Sequence, residues 1–196
     1  MLAPMDEPDS ILLADARRAL RRAAGRVTDL LRSLPDLDIG IPRSDWTVRE
    51  AGAHLLTGTT LCADIATGMQ SPVSGLAHNT LAAENAARIA DIPESDPATL
   101  ARLLEDAVDR VLHVTAHRRG DEIVVWHGGR RIPLAHLVAL CVGEQLLHGL
   151  DIAAATGRAW TIEPAHVRLV VSAYAAIDEG EFQLESLQGR TSWISL

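Results

Sequence analysis

The chain has 196 residues, 47% hydrophobic but only 3% aromatic, with a formal net charge of −8. That length supports one domain with a real core, and a core made of Ala, Leu, Val and Ile favours close-packed helices, an all-α fold. The negative balance argues against a nucleic-acid partner, which would need a concentrated basic surface; the cluster Arg17, Arg18, Arg21 and Arg22 reads as the solvated face of a helix.

Residues 1–10 contain Pro4, Pro8 and several acids, where a signal peptide needs a basic and then an apolar stretch. They read as a flexible leader. No apolar run reaches the length of a membrane span, so a cytoplasmic protein without a membrane partner is expected. A first helix is predicted from Ile11 to Leu34, because Leu12, Ala16, Ala19, Leu20, Ala23, Val27, Leu30 and Leu31 trace one apolar face. Pro35 ends it. Residues 36–45 form a connector with Gly40 and Pro42.

Thr47-Val48-Arg49-Glu50 reads as a capping box, with Thr47 as the cap and Glu50 reaching back. The second helix then runs to about Thr67, with Gly68 as its stop. A turn at 71–75 precedes a third helix over 79–90. Asp96 caps a fourth helix over 97–117. Residues 121–132 change character: Ile123-Val124-Val125-Trp126 is strand-like and His127-Gly128-Gly129 turn-like, which predicts a small β-hairpin. A fifth helix starts at Pro133 as a first-turn residue and runs to about Thr156, with Gly157 after it. A last helix covers 163–179, and residues 180–196 are weakly patterned. Cys62 and Cys141 fall at apolar helical positions and read as reduced core residues rather than a disulfide framework.

Three residues break the apolar pattern. Glu144 and His148 are four apart and share a helix face with Leu137, Cys141, Leu147, Ile152 and Ala155. His54 repeats the anomaly among Ala51, Leu55, Gly58, Cys62 and Ile65. Burying a lone carboxylate costs several kcal/mol, so such a group is neutral, paired or metal-bound. Two readings stay open on these residues alone. One is an open divalent-metal site with three protein ligands and room for water or substrate. The other is a buried Glu–His hydrogen-bonded pair without metal. Asp151, one turn after His148, is a candidate acceptor behind an imidazole, or a partner for a backbone or tryptophan donor. His113 and His117 are also four apart, but at a helix end, where histidine favours the dipole. His78, His127, His136 and His166 read as structural or exposed.

Asp45-Trp46-Thr47-Val48-Arg49-Glu50-x-x-Ala53-His54-Leu55 resembles the W-T-V-R-(D/E)-x-x-A-H-L signature of the mycothiol-dependent maleylpyruvate isomerase N-terminal domain family. The stretch from Glu144 through His148, Asp151 and Ala155 to Gly157 resembles its second signature, E-x-x-x-H-x-x-D-x-x-x-A-x-G. The resemblance spans roughly 11–160 and implies a DinB-like metal-binding four-helix bundle, here with additional short helices. It implies His54, Glu144 and His148 as ligands of zinc, or of nickel, and Trp46 as a structural anchor. It also implies mycothiol as thiol cosubstrate: the metal lowers the thiol's pKa, and the thiolate adds to an electrophile. Residues 161–196 then form a C-terminal helix and tail, too short for the second domain of the isomerase, which leaves S-transfer beside isomerisation as the expected chemistry. The small molecules expected as partners are a thiol and an electrophile, and the apolar composition permits a homodimer. No catalytic residue is assigned beyond the metal centre. The alternatives are a non-catalytic metal-binding bundle acting as an interaction protein, closed by His136 or Asp151 as a fourth ligand, and a metal-dependent hydrolase with Asp151 as general base.

Overall fold

The computed structural model describes residues 11–69, 78–94 and 96–177; the leader at 1–10, the turn at 71–75 and the segment 180–196 lie outside them. In chain order the elements are α1 (Leu13–Arg32), α2 (Val48–Ala66), α3 (His78–Ala90), α4 (Pro97–Val114), β1 (Ile123–Val125), β2 (Arg131–Pro133), α5 (Leu134–Ala155) and α6 (Pro164–Ile177).

Four helices make the bundle. Helix α1 packs on α4 and α5, and α2 packs on the same two. The order around the core is therefore α1, α5, α2, α4. Leu20, Leu31, Leu55, Leu100, Leu104, Leu134 and Ile152 fill the centre and are fully buried, each contributing roughly 1.5–3 kcal/mol. Helix α3 lies on α2, and α6 lies on α5.

The helix starts follow local chemistry. Thr47 Oγ1 accepts from the Glu50 amide at 3.2 Å, and Glu50 Oε2 accepts from the Thr47 amide at 2.7 Å. This is the expected capping box. Asp96 accepts from the Thr99 amide at 2.7 Å and starts α4. Gly68 (φ +84°) and Gly157 (φ +65°) end α2 and α5 in the left-handed conformation. The amides of Met69 and Arg158 then reach back to the carbonyls of Asp64 and Ala153, closing both ends.

Two boundaries that differ from the sequence expectation bear on how the hairpin is placed. Helix α4 stops at Val114 rather than 117, where the chain leaves the helical path at Thr115 (φ −101°, ψ 1°). Pro133 closes the hairpin opposite Ile123 instead of opening the helical turn, so Leu134 is the first residue of α5. The first two α5 amides are held by the carbonyls of Glu122 and Gly120. The hairpin is short and antiparallel, and only Val124 and Ile132 point inward.

Helix α5 is buried on nearly every side, not along one stripe. Gln145 and Leu146 are as buried as Cys141, whereas Glu144 and Leu147 are only partly covered. By length and mean hydropathy (22 residues, 1.4) it would qualify as a membrane span, against the expectation that none would. Two thirds of its apolar window is instead covered by its own bundle.

Candidate metal centre

His54 sits midway along α2, and Glu144 and His148 sit on successive turns of α5. These helices pack together, so the three side chains meet across one interface. His54 Nε2 lies 3.2 Å from Glu144 Oε2, and His148 Nε2 lies 3.5 Å from the same oxygen. The donor atoms of all three lie within 4.8 Å of one another. With metal–ligand bonds of 2.0–2.1 Å, tetrahedral zinc separates neighbouring donor atoms by about 3.3 Å. Two imidazole nitrogens and a carboxylate oxygen at this spacing fit a divalent ion of that kind. Among the described residues, no fourth histidine, cysteine or carboxylate joins the group.

The imidazoles are held from behind. Asp151 Oδ2 lies 3.3 Å from His148 Nδ1, on the side away from Glu144. This contact steadies the ring from behind and leaves Nε2 on the side of the centre. Trp46 packs against both rings, 5.1 Å from His54 and 5.6 Å from His148 between centroids. Its own position is fixed by a short antiparallel bridge between Gly40 and Thr47, with the Ile41 amide bonded to the Trp46 carbonyl at 2.8 Å.

Electrostatics favours a charged cluster. Burial alone would raise the Glu144 pKa, but His148 and His54 outweigh it and hold the carboxyl well below the usual range. Burial alone would lower His148, but Asp151 and Glu144 outweigh it and raise the imidazole to about 9. Where no cation is bound, the carboxylate and an imidazolium compensate each other; a divalent ion would replace that proton.

The centre opens on one side. A cavity of about 380 Å³ is lined by His54 and Glu144, together with Arg88 of α3, Trp126 and His127 of the hairpin, and Tyr174 of α6. The Glu144 side chain keeps 40% of its exposure because it faces this space, against 15% for His54 and 11% for His148. The carboxylate is thus not sealed in the oily stripe that its spacing predicts. The phenol of Tyr174 keeps its proton, its pKa raised by burial and then by the Glu144 charge.

The remaining candidates separate. His113 is exposed, and His117 lies in the turn beyond α4, so the pair does not converge. His166 is buried on α6 beside Glu163. His136 is outside the cluster, with its pKa lowered by burial. His127 reaches the cavity wall, which the sequence reading did not foresee. Arg88 and Tyr174 were missed as well, since nothing in the local pattern of α3 or α6 marks a residue that reaches another helix's site.

The model for the mycothiol maleylpyruvate isomerase N-terminal domain matches residues 17–153. Two solved structures are similar. The crystal structure of the mycothiol-dependent maleylpyruvate isomerase aligns at 18% identity and a TM-score of 0.58, over 76% of this chain and 64% of that chain. A histidine-to-alanine mutant of that isomerase aligns at 17% identity and a TM-score of 0.66, over 88% of this chain and 71% of that one. The chain therefore spans under two thirds of the first structure's length. At these identities the likeness establishes the fold. No curated protein matches the sequence significantly.

Proposed function

Because the chain belongs to the mycothiol maleylpyruvate isomerase N-terminal domain family, we propose that it is a metal-dependent enzyme activating a low-molecular-weight thiol, mycothiol first among them. The thiol would be transferred to a small electrophile, or would isomerise it. The observation that carries this reading is the convergence of His54, Glu144 and His148, with His54 and Glu144 on the wall of an open cavity and no fourth protein ligand among the described residues.

His54 and His148 would hold a divalent ion, zinc in the first instance, through Nε2, and Glu144 through Oε2. Bound there, such an ion supplies Lewis acidity that lowers a thiol's pKa toward neutrality. The chain's own residues do the rest. Asp151, 3.3 Å from Nδ1, would favour the tautomer of His148 that presents Nε2 to the ion. Leu137 and Leu140 give the cavity an apolar wall. Tyr174 and Arg88 offer hydrogen-bond donors to an electrophile. The other two readings gain less support. Asp151 faces the outer nitrogen of His148 and does not line the cavity, so a hydrolase would lack its base. Neither Asp151 nor His136 closes the donor set, as a purely structural ion would need.

The test is metal content per chain, without tag or chelator, for the wild type and His54→Ala, followed by transfer of mycothiol to an aryl halide. Near one divalent ion per chain, lost in the variant together with transfer, supports the reading. A wild type that takes up no added zinc overturns it. A loaded wild type inert toward every thiol leaves only the metal site standing.

A further inference from the structure

The cavity beside the metal centre has a second polar wall. Helix α3 lies on α2 and contributes Asn85 and Arg88 to this space. They are three residues apart and share one face of the helix. Much of the remaining wall is apolar, with Leu61, Ile65 and Leu140 on it. Apart from the histidines, Arg88 supplies the positive charge of the wall, on a chain whose formal net charge is −8.

The Arg88 guanidinium is not committed elsewhere. Glu84, one turn earlier on α3, is its ion-pair partner, but the approach runs through Nε at 3.7 Å, beyond hydrogen-bond distance. A part-exposed pair four residues apart at that separation is weak. Among the described residues, neither the guanidinium nor the Asn85 carboxamide makes a hydrogen bond within the protein. Arg118 shows the contrast. Its side chain is more exposed than that of Arg88, 34% against 25%, yet it donates to the Glu122 carboxylate at 2.5 Å and to the Ala66 carbonyl at 2.6 Å. Arg88 thus brings an unused planar fork to the cavity, with a carboxamide beside it.

We propose that Arg88 and Asn85 form a carboxylate subsite, so that the small molecule meeting the thiol carries a carboxylate held on α3. This rests on the reading of the cavity as a reaction site and names the class of molecule it admits. The guanidinium fork matches a carboxylate through two parallel N–H···O bonds, and the Asn85 amide adds a donor to one oxygen. One guanidinium balances one carboxylate charge. A phosphate dianion would leave a surplus negative charge in a space that also holds Glu144. The apolar wall and the Trp126 ring take the rest of the molecule, within about 380 Å³. Anchoring one end on α3 fixes how the other end meets the centre between α2 and α5.

The test compares trans-cinnamate with cinnamamide, which has the same planar outline and no charge. Binding to the full chain is followed by saturation-transfer NMR titration, once with a chelator and once with added zinc. The wild type should bind the acid about tenfold more tightly than the amide in both conditions. Arg88→Gln should bring the two affinities together while leaving that for the amide unchanged, which shows the cavity intact. Arg88→Lys keeps the charge without the fork and should recover part of the preference. Equal affinities in the wild type, or binding of neither molecule, overturn the proposal without recourse to any variant. So does a preference that survives in Arg88→Gln, or one that appears only with zinc, which puts the carboxylate on the ion. β-Styrenesulfonate bound as tightly as cinnamate overturns the choice of carboxylate over other oxyanions. The chelator arm needs no ion. A wild type that takes up no zinc yet prefers the acid therefore sinks the metal reading and leaves this subsite standing.

Discussion

Removing the imidazole of His148 does more than delete one donor. It leaves Glu144 facing His54 alone and strands Asp151 without its cation. His148→Ala should therefore reduce bound metal to background by elemental analysis, whereas His113→Ala, exposed on α4, should leave metal content unchanged. Asp151→Asn keeps the size of the side chain but loses its charge; it should weaken zinc affinity about 10–100-fold in a chelator competition. The triad was legible in the sequence for a simple reason. A carboxylate and two histidines at apolar helical positions have no cheap solution except one another or a cation. Gln145 was not legible, because its burial is met by Thr59 on a different helix. Tyr174, Arg88 and His127 were hidden for the same reason: their role depends on where α6, α3 and the hairpin dock.

At the scale of the element, α2 owes its start to Thr47 and Glu50. Thr47→Ala should cost about 1 kcal/mol in urea unfolding. The Glu50 carboxyl is held below its ordinary value of 4.5, mainly by the Thr47 amide, and Arg49 adds a smaller attraction. Its folded pKa is depressed, so the unfolded chain binds the extra proton. The stabilisation is complete above the ordinary carboxylate range and is lost as pH falls through 4.5 and below. The gap in stability between wild type and Glu50→Gln should accordingly narrow in acid; a gap independent of pH would refute the capping role of the ionised carboxylate. On α5 the decisive small residue is Gly149. A Cβ there would sit 2.3 Å from Trp160 Cζ2, and the Trp160 ring also carries Arg26 stacked at 4.3 Å. Gly149→Ala should destabilise the fold by about 1–3 kcal/mol, read from the urea midpoint. Helix starts were well marked in the sequence because caps are local. The end of α4 was placed too late, since the departure of Thr115 from the helical path leaves no mark in the apolar pattern.

For the whole molecule, the apolar periodicity of α1 and α4 fixed a bundle, because each shows one face to the core. Helix α5 carries no such contrast. It is covered by α1, α2, α6 and the hairpin, and its one-stripe reading failed for that reason. A cation held between α2 and α5 would couple these two core helices to global stability. Zinc at about one hundred times its dissociation constant would stabilise the chain by about 2.7 kcal/mol. For a chain of this size the melting temperature should rise by roughly 5–10 °C. Differential scanning calorimetry should record that rise in the wild type and none in His54→Ala.

The indole of Trp46, seated against both imidazoles, gives the protein an optical gauge of its own centre. A protonated imidazole quenches a neighbouring indole, and a cation that displaces the proton changes that quenching. Occupancy can thus be followed as tryptophan emission in the untreated chain, with Trp46→Phe subtracting the signal of the other tryptophans. The same light would report the arrival of a thiol at the centre before any product is made.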